Sequence, residues 1–159
     1  VKHPLPPDLS IGAFAECDLP QVLRIETLCF AEDAFPEALF RELAGQPSAL
    51  FLVARRRERV VGYAIAALRG RSAELISIAV HPRHRRRGVG QALLDAVLRR
   101  LRRAGAASCR LAVRTTNAAA IAFYEKNGFV RRKLLRNYYT DGGDAFLMRR
   151  SLGSATTSR

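Results

Sequence analysis

The stretch from Ala73 to Ala104 limits what this chain can fold into more than any other part of it. Leu75-Ile76-Ser77-Ile78-Ala79-Val80 has the composition of a buried strand, and its lack of alternation predicts a central position covered on both faces. A basic loop follows, then Arg85-x-x-Gly88-x-Gly90, then a strongly amphipathic segment. Val89, Leu93, Leu94, Val97, Leu98 and Leu101 recur at helical spacing and arginines fill the other face. Gly105 is a C-terminal stop. Strand, glycine turn and helix together form a cradle for phosphate. Turn residues without side chains let backbone N–H groups converge, and the helix start adds positive potential. Arg83, His84, Arg85, Arg86 and Arg87 surround the turn, so a polyphosphate-bearing anion is the expected ligand.

Two commoner phosphate motifs are absent. No G-x-x-x-x-G-K-S/T is present, which excludes a P-loop, and no G-x-G-x-x-G with a following acidic residue marks a dinucleotide site.

The rest of the chain reads as an α/β domain. The 159 residues, 48% hydrophobic, suffice for one core, placed at 9–152 between a flexible leader (1–8) and a disordered tail (153–159). Leu9–Phe14 reads as a strand, and Asp18 as the N-cap of a helix to about Phe30 with Leu19, Val22, Leu23 and Ile25 inward. A second helix runs from Pro36 to Leu43, with Phe40 and Leu43 inward. Leu50–Arg55 and Arg59–Leu68 read as a strand pair, followed by the strand Ala73–Val80. After the long helix come a strand at Ser108–Val113, a helix from Asn117 to Lys126, and strands at Phe129–Arg136 and Ala145–Ser151. The order β-α-α-β-β-β-α-β-α-β-β predicts a mixed sheet with helices on both faces.

No apolar stretch reaches the length of about 18 residues that a membrane helix needs. The start, Val-Lys-His-Pro-Leu-Pro-Pro, lacks a signal-peptide core, so a cytoplasmic location is expected. Cys17, Cys29 and Cys109 are odd in number and lack C-x-x-C spacing; buried free thiols are expected, with no metal site. The net charge of +13 is carried almost entirely by arginine. One phosphate-bearing ligand at 83–87 leaves Arg55–Arg57, Arg99–Arg103 and Arg131–Lys133 unexplained. These are solvated faces or a contact for nucleic acid, and no nucleic-acid motif decides between them.

The turn at 85–90 resembles the acyl-CoA loop of the GNAT acetyltransferase superfamily, Arg/Gln-x-x-Gly-x-Gly/Ala. Asn117-Ala118-Ala119-Ala120-Ile121-Ala122-Phe123-Tyr124-Glu125-Lys126-Asn127-Gly128-Phe129 is similar to the family stretch N-x-x-A-x-x-x-Y-x-x-x-G-F. Arg136-Asn137-Tyr138-Tyr139-Thr140-Asp141-Gly142-Gly143-Asp144-Ala145 resembles the RimI-type protein N-terminal acetyltransferases. The resemblance covers residues 9–152 and implies the GNAT fold, with about seven mostly antiparallel strands and about four helices. It implies acetyl-CoA as co-substrate, held by the backbone of Ile78, Ala79 and Val80, by Arg85, Arg86, Arg87, Gly88, Val89, Gly90 and Gln91, and by Asn117 and Tyr124. Tyr124 is implied as general acid toward the thiolate, and Tyr138 and Tyr139 as the slot for a peptide end.

One departure matters. RimI-type enzymes usually carry a base at the position of Ala112 in Arg110-Leu111-Ala112-Val113-Arg114, and alanine cannot take a proton. Glu74, the only carboxylate in the strand leading to Val80, is the substitute. An α-amine, with a pKa of about 8, costs about 0.7 kcal/mol to deprotonate near pH 7.5, against about 4 kcal/mol for lysine. A weakly equipped site leans toward the α-amine. The expected activity is therefore direct acetyl transfer to a primary amine, foremost the N-terminal amine of a protein or peptide, a ribosomal protein among the candidates. The alternatives are a small amine as acceptor, or a CoA-binding, RNA-docking module without turnover. Either a monomer or a homodimer fits.

Overall fold

The computed structural model describes residues 4–153; the expected leader and tail lie partly outside them, at 1–3 and 154–159. Its elements are β1 (Leu9–Ala13), α1 (Leu19–Phe30), α2 (Glu37–Ala44), β2 (Ala49–Arg56), β3 (Arg59–Arg69), β4 (Ser72–Val80), α3 (Val89–Arg103), β5 (Ser108–Arg114), α4 (Ala118–Lys126), β6 (Val130–Leu135) and β7 (Ala145–Ser151). The element order matches the expectation from sequence. Short 3-10 turns lie at Glu16–Asp18, Ala31–Asp33 and Pro82–His84. No described helix is long and apolar enough to cross a membrane.

The seven strands form one sheet in the order β1-β2-β3-β4-β5-β7-β6. Every neighbouring pair is antiparallel except β4 and β5, which α3 joins as a crossover. Pleating divides the sheet's residues between two cores. Leu52, Ala64, Ala66, Leu75, Cys109, Leu111 and Met148 meet the apolar stripe of α3, with Ile121 of α4 and Phe129. Phe51, Val53, Tyr63, Ile65 and Ala79 meet Leu19, Val22 and Ile25 of α1 and Phe40 and Leu43 of α2. All six apolar residues read as the stripe of α3 are buried.

Two local readings need correction. Asp18 stands before α1 but gives the helix no side-chain cap. Its carboxylate turns back to accept the Ala15 N–H at 2.8 Å and to pair with Arg55, because that guanidinium is a stronger partner than a helix amide. The cysteines are not uniformly buried: Cys109 is, Cys29 is partly exposed, and Cys17 lies exposed in the turn before α1.

The close approach of β3 to β4 depends on Gly62. A Cβ there would lie 2.9 Å from the Ala79 carbonyl oxygen and 3.1 Å from Leu93 Cδ1. Backbone in a sheet cannot yield as a side-chain tip can. Gly62→Ala is therefore expected to lose about 1–3 kcal/mol of stability in urea unfolding, and an unchanged midpoint would contradict this packing.

Candidate active site

β4 and β5 pair only at their first residues, Ser72–Ser108, Ala73–Cys109 and Glu74–Arg110. Beyond Glu74 the two strands part, and a gap opens in the middle of the sheet. On its other edge β4 stays paired with β3 as far as Val80–Gly62. The His81 N–H bonds the Val61 carbonyl at 2.8 Å. Antiparallel alternation then turns the N–H and C=O groups of Ile78 and Val80 away from β3, toward the gap. The Val80 carbonyl confirms this direction, since it accepts from Arg85 Nε at 3.3 Å and from the Cys29 thiol at 3.3 Å. Ala79 alternates with them and buries its side chain under α1 and α2.

Above the gap stands the start of α3. Gly88 is its N-cap, in the left-handed region at φ +79°, and nothing lies within 4 Å of where its Cβ would be. The first helical bond runs from the Ala92 N–H to the Gly88 carbonyl at 3.0 Å. The N–H groups of Val89, Gly90 and Gln91 thus have no partner within the helix. Gln91 can offer only its backbone, because its side-chain amide is tied to Asn127 at 2.6 Å and Asp95 at 2.9 Å. Arg86 and Arg87 are exposed beside the turn. Burial, then the surrounding arginines, hold His81 and His84 below the ordinary histidine range, so arginine carries the charge of the loop near neutral pH. Open amides, free guanidinium groups and an outward strand edge fit the diphosphate and the amide-bearing arm of coenzyme A.

Tyr124, on α4, packs against the core on the α3 side of the sheet. Its ring packs edge-on against Phe129, with centroids 5.7 Å apart. Burial raises its pKa strongly, with smaller contributions from Cys109 and Tyr139, so the hydroxyl keeps its proton near neutral pH. Asn117 caps α4, its Oδ1 accepting the Ala120 N–H at 3.1 Å. Cys109 is fully buried with its thiol pushed up to about 11, the opposite of an activated nucleophile.

The other side of the sheet carries a different set of groups. Cys109, Leu111 and Val113 face α3. Arg110, Ala112 and Arg114 therefore face the side of α1 and α2, and so does Glu74 between Ala73 and Leu75. Glu74 sits where β4 and β5 part, with its carboxylate 3.9 Å from Arg110 Nη2. Both side chains are substantially exposed, so this pair adds little to stability.

Arg114 holds this side together in a way the sequence did not reveal. It pairs with Asp33 before α2 at 2.7 Å, pairs with Asp141 in the β6–β7 loop at 3.1 Å, and lies 4.0 Å over the ring of Tyr139. Two loops far apart in the chain are thereby clasped over the end of the gap. Tyr139 is half-buried in that clasp, while Tyr138, edge-on to it at 5.0 Å, is 51% exposed. The sequence signal for Arg114 lay in the same short segment as Ala112; Asp33 carried none.

Comparison with known proteins agrees with this geometry. Residues 19–129 match the family model described as Acetyltransferase (GNAT) family. The chain belongs to the GNAT acetyltransferases. This acetyltransferase is 37% identical over 144 residues to the [Ribosomal protein bS18]-alanine N-acetyltransferase of Escherichia coli, covering 87% of this chain and 95% of that one. It is 35% identical to an N-alpha-acetyltransferase of Sulfurisphaera tokodaii, covering 82% and 86% of the two chains. Among solved structures it resembles Ard1 from Thermoplasma volcanium, with a TM-score of 0.85 and 37% identity over 91% of this chain and 97% of that one. The chain is thus an acetyl-CoA-dependent N-acetyltransferase with the GNAT fold. Among the described residues, no group of three or more His, Cys, Asp or Glu side chains is placed to hold a metal.

Proposed function

We propose that this acetyltransferase modifies the N-terminal α-amine of a protein or peptide, a ribosomal protein being one candidate, in the cytoplasm. The observation that carries this reading is the wall of Tyr138, Tyr139 and Arg114 at the end of β5, on the side of the sheet where Glu74 is partly exposed. The names of the relatives that span most of the chain support the same acceptor.

Acetyl-CoA supplies an acetyl group activated as a thioester. The amides of Val89, Gly90 and Gln91, with Arg85, Arg86 and Arg87, hold its diphosphate. The outward backbone of Ile78 and Val80 and the amide of Asn117 steady the arm. An outward N–H of β4, between Glu74 and Val80, donates to the thioester oxygen as negative charge develops. Glu74, directly or through a water, takes the proton that the amine loses, and Tyr124 gives its own to the departing sulfur. No protein nucleophile is needed, and the only nearby buried thiol is held protonated.

Free-thiol release from acetyl-CoA tests the proposal, using peptides with free or blocked N-termini, lysine side chains and small amines. Peptides with free N-termini are expected to turn over fastest, and faster small amines would overturn the acceptor. Glu74→Gln is expected to lower kcat by roughly 10²-fold, most at low pH, where free amine is scarcest. Wild-type rates would remove Glu74 from the chemistry.

A further inference from the structure

At the end of the sheet opposite the CoA-binding turn lies an open concavity of about 690 Å³, walled by Arg69, Arg71, Arg110, Arg132 and Arg149. These arginines come from the end of β3 and the turn after it and from β5, β6 and β7, and no acidic residue lines the bowl. Folding has brought five like charges together from four places in the chain. Only Arg110 has an ionic partner among the described residues, and that partner is Glu74 at 3.9 Å. The five other basic side chains with salt bridges among the described residues lie elsewhere or, like Arg131, point from β6 toward Glu125. The basic end continues onto α3. Arg100 and Arg103 are exposed in its last turn, and the chain leaving that helix enters the bowl where the Ala107 N–H bonds the Arg71 carbonyl at 2.7 Å.

Clustered guanidinium groups without counter-charges indicate an anionic partner. Their planar forks match phosphate oxygens. The lining includes no aromatic ring, so nothing there can stack an unpaired base. No helix or ribbon projects from the bowl to enter the major groove of B-form DNA. A broad, concave surface whose only charged groups are arginines instead fits the phosphate ridges flanking the wide, shallow groove of A-form RNA. We propose that this arginine bowl is a docking site for the sugar–phosphate backbone of double-helical RNA, bordering the acetyl-transfer site only through the Arg110–Glu74 pair. The contact is sequence-independent and made through phosphates.

Fluorescence anisotropy tests it, with a labelled RNA duplex of roughly 16 base pairs titrated with the full chain at two salt concentrations. The combined variant Arg69→Gln, Arg71→Gln, Arg132→Gln and Arg149→Gln is expected to bind at least tenfold more weakly. Its log–log salt slope should fall by about 3–4, the contribution of four lost phosphate contacts. Peptide acetylation by that variant should match the wild type, which also confirms that it folds. The same four positions changed to lysine should keep most of the affinity, since a point charge still meets phosphate. Wild-type RNA affinity in the glutamine variant would overturn the proposal. So would equal affinity for B-form DNA or polyglutamate, or loss of binding only on Arg86→Gln with Arg87→Gln at the CoA-binding turn.

Discussion

Tyr124→Phe is expected to lower kcat by roughly 10²–10³-fold, the range for losing a positioned general acid, with little change in CoA affinity. The ring keeps its place between Phe123 and Phe129 whether or not the hydroxyl is present. The helix that carries it is capped at Asn117 and tied to α3 by the Gln91–Asn127 pair, and neither contact involves the phenol. The phenol adds a proton held in a desolvated setting. Burial raises its pKa, so the hydroxyl is protonated throughout the working range and can give that proton to a sulfur leaving as thiolate. Steady-state kinetics with calorimetric CoA binding separate the roles. A fall in CoA affinity matching the fall in kcat would make Tyr124 a binding residue instead.

Removing the Glu26 side chain is expected to have the largest effect on stability. Glu26 projects from α1 into the apolar layer under the sheet and is 1% exposed. It accepts the Phe35 N–H at 2.9 Å and the Tyr63 hydroxyl, and that hydroxyl lies 3.3 Å from Ser77 Oγ on β4. One carboxyl group thus fastens the segment before α2, which flanks the acceptor side, to the strand that borders the gap. Glu26→Ala leaves the part-buried Phe35 N–H without its acceptor and the Tyr63 hydroxyl with Ser77 alone, and should cost about 3 kcal/mol. The pH dependence distinguishes a milder change. Burial raises the Glu26 pKa to about 7, against the smaller opposing effect of the Phe35 N–H. With the folded value above the unfolded one, this group's stabilisation is complete below the unfolded value. It is lost as pH climbs toward the folded value, by at most about 3 kcal/mol. Glu26→Gln keeps an acceptor for Phe35 and does not titrate. Its stability relative to wild type should therefore improve between pH 5 and pH 8, and parallel pH curves for the two proteins would contradict the assignment.

Neither Glu26 nor Arg114 stood out in the sequence, while much around them did. The strand, turn and helix at 73–104 were legible because each signal is local: an apolar run, a glycine that must take a positive φ, and a 3.6-residue stripe. The α4 cap at Asn117 was legible for the same reason. Glu26 lies between Ile25 and Thr27 in a helix that also carries Gln21 and Arg24, so nothing local sets it apart, and its partners, Phe35, Tyr63 and Ser77, come from three separate segments. Arg114 meets Asp33 across 81 positions of chain, and no local rule anticipates such a pair. Asp18 shows the converse. The local rule made it a helix cap, and a guanidinium from β2 outcompeted the helix amides. β6 read as a strand from Phe129, and nearly all of it is exposed because it forms the outer edge of the sheet; Phe129, just before it, is buried.

The parting of β4 from β5 has a consequence for how the two reactants arrive. The helix carrying Tyr124 lies on one side of a single layer of backbone, and Glu74 and the Arg114 clasp lie on the other. With the residue roles proposed above, donor and acceptor would approach through separate doors and touch only in the doorway between them. On that arrangement neither would have to wait for the other to clear a shared corridor, and each, once seated, would close the passage from its own side.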